Sequence, residues 1–476
     1  MDSENPHREH VDIRQSGQRD AHAGQALHPS IWKITAVAVL GSLLAQLDAT
    51  IVNVSLSSLA LDLHSTLSTI QWVTSGYLLA LTLALPLNGW LIDRIGGKRL
   101  YLWCFSIFTA SSALCGLAWS AQALIGFRLL QGMSGGLLAP MAQMMMKRAA
   151  GNQFTRVAGY AALPVLLGPL LGPVIAGAIL HYASWRWLFL VNVPIGLLAL
   201  MLTVFFLPDD KEERQPRELD WIGLLLLSPG LALVLYGTER VAQSVGRAAV
   251  AAGVLLLVAF VLVERRKADR ALIDLTQFRG RAFSVASVTQ FLANGVMFAG
   301  QMLIPLFLIQ ACGQSPAMMG WLLAPLGLGM MVSFPSLGFL TGRFGARAVA
   351  AGGASLALGA TLVLVWLATR GLNLYVLVPA LFVRGMGLGA VGLPAISVAY
   401  ASVERRKLPM ATTTLNIMQR LGGPTLTTLC AVFLGWMLEG RPGNAAMNAW
   451  AYAFLLLAAL HALALLATAA LPRERT

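Results

Sequence analysis

Read along its length, the chain alternates apolar stretches with short polar breaks from Ile34 almost to its end. A helix needs about 20 apolar residues to cross about 30 Å of hydrocarbon, and the stretches have that length. The pattern predicts spans near 33–59, 69–92, 100–119, 122–146, 155–180, 188–207, 220–238, 248–263, 282–311, 317–340, 348–368, 374–400, 410–438 and 448–471. The expected fold is therefore all-α and integral to a membrane, with 14 transmembrane helices. No break is long enough for a soluble domain.

The longest breaks, 208–220 and 264–281, bracket two spans that read as an insert between two larger bundles. The flanks resemble each other. GWLIDRIGGKR at 89–99 is echoed by GFLTGRFGAR at 338–347, and RLLQGMSGGLLAP at 128–140 by VRGMGLGAVGLP at 383–394. Both offsets are about 250 residues, as a parallel repeat of two six-helix halves would give. The expected organisation is a tail at 1–30, a six-helix bundle at 31–207, a linker region with two helices at 208–281, a second six-helix bundle at 282–471 and a tail at 472–476.

Composition supports the membrane reading: 57% of the 476 residues are hydrophobic and 12% charged, where a soluble surface carries about 25–35% charged residues. The net charge of +13 would suggest nucleic acid in a soluble protein. Its distribution suggests otherwise. With the N-terminus in the cytoplasm, 26 of the 34 Lys and Arg fall in the tails and the loops on that side. Five (Arg186, Arg240, Arg247, Arg370, Arg441) fall on the other side, and three (Arg128, Arg384, Arg420) within spans. This positive-inside asymmetry puts both termini in the cytoplasm and makes lipid, not nucleic acid, the partner of the basic charge. The first thirty residues lack the apolar core of a cleavable signal peptide. Arg outnumbers Lys, as in a GC-rich bacterial genome, which points to a bacterial inner (plasma) membrane.

One residue breaks the apolar pattern most sharply. Asp48 stands mid-way along the first span, where a carboxylate costs about 2.5–3.5 kcal/mol on insertion scales and marks a proton or ion path. No other span is read as containing a clear acid; Glu239 is assigned to the outer end of the seventh. Arg128, in the fourth span, is as awkward alone, so the two are natural partners. Protonating Asp48 would release Arg128 and change how the two helices pack, the bistable element that a proton-coupled carrier needs. A purely structural ion pair is the plain alternative.

Five motifs follow in order: LDATIVNVSL (47–56), GWLIDRIGGKR (89–99), RLLQGMSGG (128–136), LPVLLGPLLGPVIAG (163–177) and WRWLFLVNVPIG (185–196), with LDW (219–221) opening the seventh span. Together with the repeat, they make the chain resemble the major facilitator superfamily, and within it the fourteen-helix drug:proton antiporters. The resemblance implies the same proton-coupling roles for Asp48 and Arg128. It also implies a latch in the turn Asp93, Arg94, Gly96, Lys98 and Arg99 that holds the outward-facing state against the thirteenth span. Its plain alternative is a turn that only sets topology; the second copy has Gly342 where Asp93 stands. In the related carriers, Gly168-Pro169, Gly172-Pro173 and Gly177 mark antiporters. Physically, positions 168, 172 and 176 share a helix face that a partner can approach closely.

Soft and polar residues facing a common cavity suit a promiscuous binder. The candidates are Gln46, Asn53, Trp72, Tyr77, Gln143, Gln290, Asn294, Met297, Phe298, Gln301, Asn416, Met418, Gln419 and Arg420. For any one of them, helix packing is the better explanation. No phosphate-binding GxxxxGK[ST] occurs, which argues against an ATP-driven pump. Neither a nucleophile–base pair nor a metal cluster is visible, so no enzyme, cofactor or metal is expected. The function expected is export of amphiphilic drugs or toxic compounds in exchange for protons. A proton-coupled exporter of one metabolite (amino acid, siderophore or sugar) and a non-transporting sensor stay as alternatives. The partners expected are the small-molecule substrate, protons and the lipid bilayer. A periplasmic adaptor and an outer-membrane channel are left open.

Overall fold

The computed structural model describes residues 28–209, 218–241, 243–267, 272–315, 318–439 and 444–472. For Asn53, Val54, Ser57, Leu167, 169–171, Pro173, Val174, Glu239 and 444–447 it describes the backbone alone. Most of the expected N-terminal tail, the middle of the first linker loop, Arg441 and the last four residues lie outside the described residues, as do the side chains of Asn53, Pro169, Pro173 and Glu239.

Among the described residues every regular element is helical. The helices are α1 (Pro29–Val54), α2 (Leu56–Asp62), α3 (Leu67–Ala84), α4 (Leu87–Ile95), α5 (Gly97–Gly116), α6 (Ala121–Ala150), α7 (Phe154–Tyr182), α8 (Trp187–Leu190) and α9 (Asn192–Phe206). Then come α10 (Trp221–Glu239), α11 (Ser244–Glu264), α12 (Arg281–Leu306), α13 (Met319–Phe344), α14 (Ala346–Arg370), α15 (Leu374–Ala401), α16 (Leu408–Leu438) and α17 (Asn444–Ala469). Among the described residues ten helices are long and apolar enough to cross a membrane, or eleven if the bent pair α3–α4 counts as one. Helices α5 and α6, 20 and 30 residues long, are not among them. The middle of α6 is polar, with Arg128, Gln131, Ser134 and Gln143 on one helix.

Local chemistry sets several boundaries. Thr66, Ser120 and Asn373 cap α3, α6 and α15 by accepting backbone N–H groups at 3.2, 3.2 and 3.0 Å, the usual remedy for the orphan donors of a helix start. The second expected span is not straight. It bends by 58° between α3 and α4, where Pro86 has no N–H to continue the ladder. Gly96 and Gly345 end α4 and α13 at φ +93° and +80°, with ψ of 154° and 155°, backbone that essentially only glycine adopts. The two repeat copies thus turn alike. The eighth expected span is longer than its apolar run: α11 reaches Glu264, which is 2% exposed. The expectation of no acid beyond Asp48 missed it by one residue.

Helix α1 packs on α6, α7 and α9, and α3 on α6; later in the chain α12 packs on α15, α16 and α17, and α14 on α15 and α17. Helices α10 and α11 pack on each other, and α10 also touches α3 and α16. At the end of the molecule that holds the α4/α5 and α13/α14 turns, one apolar core joins Ile92, Met145 and Phe154 to Phe283, Tyr400 and Leu408. At the other end two cores are separate, one with Ile51, Val73 and Phe189 and the other with Leu303, Leu377 and Phe454.

Candidate functional site

Asp48 and Arg128 meet. Helices α1 and α6 carry them to the same depth, both side chains fully buried, with Arg128 Nη1 2.5 Å from Asp48 Oδ2. The other carboxylate oxygen, Oδ1, accepts from Gln131 Nε2 at 3.0 Å and Asn192 Nδ2 at 2.9 Å. Arg128 also donates through Nε to the Val73 carbonyl at 3.0 Å and through Nη1 to Gln131 Oε1 at 2.8 Å. Its guanidinium lies 4.0 Å from the centre of the Tyr77 ring, within cation–π range. Ser112 Oγ accepts from both Gln131 Nε2 (2.9 Å) and Asn192 Nδ2 (3.2 Å), and donates to the Phe189 carbonyl at 3.0 Å.

The arrangement is a salt bridge inside an amide and hydroxyl cage that surrounds the carboxylate and leaves Arg128 Nη2 and Asn192 Oδ1 without a hydrogen-bond partner among the described residues. A buried pair holds together only when its remaining donors and lone pairs are satisfied, and here five helices contribute to satisfying most of them. Sequence reading found Asp48, Arg128 and Tyr77. It missed Gln131, Asn192 and Ser112, although Gln131 sits three residues after Arg128, on the same helix face. Asn192 is the one amide in the motif WRWLFLVNVPIG.

The repeat's second arginine has no such cage. Arg384 is fully buried and donates from Nη2 to the Val296 carbonyl at 3.1 Å, while Nε and Nη1 have no hydrogen-bond partner among the described residues. It lies close over Gly300, where a Cβ would stand 2.0 Å from Nη2.

The expected latch turn is half-buried at Asp93 and exposed at Arg94 and Arg99. Arg94 lies over the Trp90 ring at 5.3 Å, and Lys98 pairs with Asp209 at 2.9 Å. Beside the turn, α4 packs on α16. Asn88 Nδ2 donates to Thr413 Oγ1 at 3.1 Å, and a Cβ at Gly89 would stand 3.3 Å from Met410 Cγ. Gly168 and Gly172 let α7 approach α1, since added Cβ atoms would stand 3.1 Å from Gln46 Cβ and 2.3 Å from Thr50 Oγ1. Gly177 faces open space and makes no such approach.

The expected cavity residues fall into separate places. Gln143 accepts from Tyr400 Oη and Asn416 Nδ2, each at 3.1 Å, joining α6 to α15 and α16. Asn294 and Phe298 surround Gly423. Gln290 is buried and donates to the Gly392 carbonyl at 2.6 Å. Trp72 turns toward the inserted helix: its ring stacks on Tyr236 at 6.4 Å and lines an apolar cavity of about 410 Å³ with Leu79, Leu83, Pro229, Ala232 and Leu233. Gln46 and Gln301 are exposed, whereas Met297, Met418, Gln419 and Arg420 are half-buried. Arg420 is within electrostatic reach of Tyr77.

A sequence profile of the Major Facilitator Superfamily matches residues 38–427. The chain is 34% identical over 435 residues to a multidrug resistance protein B homolog of Mycobacterium tuberculosis, covering 89% of this chain and 79% of that one. It is 34% identical over 365 residues to MdtD of Escherichia coli, named for multidrug resistance, covering 75% and 76%. Among solved structures, the proton:xylose symporter XylE superposes with a TM-score of 0.63 at 15% identity over 94% of this chain and 96% of that one. The human organic anion transporter MFSD10 gives 0.62 at 20% identity over 91% and 100%. At such identities the likeness is one of fold.

Proposed function

Because the chain belongs to the Major Facilitator Superfamily, a family of membrane transporters, we propose that it exports amphiphilic drugs or toxic compounds from the cytoplasm in exchange for protons. It is a multi-pass membrane protein of a family that moves small molecules. The observation that carries the finer proposal is the fully buried Asp48–Arg128 pair. An ionisable group caged inside the bundle, whose one counter-charge comes from another helix, can exchange helix contacts for a proton. Multidrug resistance in the names of relatives at 34% identity supports drug-like cargo.

The topology that goes with this reading has fourteen spans, with six in α1–α9, two inserted as α10 and α11, and six in α12–α17. Both termini would be cytoplasmic, in a bacterial inner membrane. The single core at the α4/α5 end and the separate cores at the other end support an outward-facing state. Asp93, Arg94, Gly96, Lys98 and Arg99 would then be its cytoplasmic latch, a role supported by the packing of α4 on α16. The close approach of α7 to α1 at Gly168 and Gly172 supports an antiporter-type fifth span. Gln143 and Asn416, which join the two parts of the bundle, would meet the cargo together with Asn294, Phe298 and Arg420.

The test is proton-coupled efflux in proteoliposomes. Asp48→Asn is expected to abolish substrate-driven proton movement while insertion persists; undiminished proton movement in that variant would refute the assignment. A protection panel of dyes and antibiotics then separates a drug exporter from an exporter of one metabolite.

A further inference from the structure

The LDW motif and the inserted helix pair have no part in the Asp48 cage, yet they hold a second set of buried acids. Asp220 caps α10, its Oδ1 accepting the Gly223 N–H at 2.8 Å. Glu264, the last residue of α11, accepts the Ile273 N–H through Oε2 at 3.3 Å. Lys267 pairs with Asp220 Oδ1 and stands 3.7 Å from Glu264 Oε1. That leaves Asp220 Oδ2 and Glu264 Oε1. Both are buried, and neither takes a hydrogen bond from a fixed N–H or O–H donor among the described residues. They converge over the same glycine, each 2.7 Å from where a Cβ on Gly223 would stand.

Ionised carboxylates only accept hydrogen bonds, so two such oxygens facing each other need a proton between them. Charge balance among the described residues points the same way. Lys267 answers one carboxylate, and a second buried negative charge would go unpaired. Among the described residues no other cation supplies the difference: Arg265, Arg266 and Arg279 are exposed, and Lys407 is engaged 2.9 Å from Asp274, which also binds Thr276. Ile273 and its neighbour Leu272 belong to an apolar core with Leu227, Leu231, Phe260 and Ile417.

We propose that Asp220 and Glu264 are a second proton-binding site, which holds one proton between them and so keeps the inserted helix pair docked across the two parts of the bundle. Burial alone would push the Asp220 carboxyl up, but its bonds to Glu264, the Gly223 N–H and Lys267 outweigh this and hold it below the usual carboxylate range. Asp220 already accepts from the Gly223 N–H and from Lys267, whereas Glu264 accepts one N–H at 3.3 Å, so the proton is placed on Glu264. The docking runs outward from this point. Ile273 adjoins Asp274, whose partner Lys407 precedes α16. Along α10, Ser228 donates to the Leu83 carbonyl of α3 at 2.9 Å, and Thr428 of α16 donates to the Thr238 carbonyl at 3.3 Å. Loss of the proton puts two like charges side by side at the ends of α10 and α11 and so loosens the docking of the pair. The site is independent of Asp48 and of any cargo.

The test uses the purified full chain in lipid nanodiscs, with infrared pH titration and thermal unfolding. The wild type is expected to show a protonated-carboxyl carbonyl band that fades as pH rises past neutrality, with the unfolding midpoint falling in step. The sign follows from linkage: a group that holds its proton more tightly in the folded state stabilises at low pH and loses that contribution as pH rises. Glu264→Gln keeps an acceptor for Ile273 and offers an amide N–H to Asp220. It is expected to lack the band and to have a midpoint flat across the same range. Asp48→Asn is expected to retain both wild-type signals. A band that survives Glu264→Gln in the Asp48→Asn background, or midpoints that fall in parallel in wild type and variant, would overturn the proposal. Stabilisation of the wild type but not the variant by sodium, potassium or calcium would overturn it too, making the occupant a metal cation.

Discussion

Breaking the Asp48–Arg128 pair one side at a time, and then on both sides together, gives a calculable outcome. Both side chains are fully buried and joined at 2.5 Å. Arg128→Met leaves a buried carboxylate held by two neutral amides, Gln131 and Asn192. Asp48→Asn leaves a buried guanidinium held by the Val73 carbonyl, Gln131 and the Tyr77 ring. Removing one member of a buried pair typically costs about 3–5 kcal/mol, whereas removing both is often close to neutral. The double variant is therefore expected to unfold at higher denaturant than Arg128→Met, with a coupling energy of about 3 kcal/mol, more than a hundredfold in the unfolding constant. Equilibrium unfolding of the four proteins in one detergent measures it. Losses that sum to within about 0.5 kcal/mol in the double variant would refute the coupled pair.

Two further outcomes follow from close contacts. Gly172→Ala sets a Cβ 2.3 Å from Thr50 Oγ1 and should cost about 1–3 kcal/mol in thermal unfolding. Gly177→Ala meets nothing within 4 Å and should be neutral or stabilising by up to about 1 kcal/mol. Thr413→Val removes the acceptor of the buried Asn88 amide, a loss of about 0.5–1.5 kcal/mol to the contact between α4 and α16. It should raise labelling of a cysteine placed at Gln143 by about two- to tenfold, while cargo affinity stays unchanged; labelling equal to that of the Thr413-containing parent would show that this contact does not close that end.

The apolar period by itself determined a helical membrane protein, because a run long enough to cross hydrocarbon has few other uses. The Asp48–Arg128 pairing was equally legible, since each residue alone in that setting demands the other. The turn glycines could be read as well: Gly96 and Gly345 recur at matching places in the repeat and adopt positive φ. What packs against what was decided only by the tertiary structure. A single amide in an apolar run serves packing or a cage equally well until the neighbouring helix is in place, so Gln131, Asn192 and Ser112 went unread. Trp72 looked like cavity lining, but α10 offered its ring the Tyr236 face. Gly177 shared a motif with Gly172 yet meets open space, because its position turns it off the face that α1 approaches. Glu264 read as the first residue of a charged loop; the fold instead brings it over Gly223 beside Asp220. Hydropathy records how apolar a position's neighbours in sequence are, and only packing sets its neighbours in space.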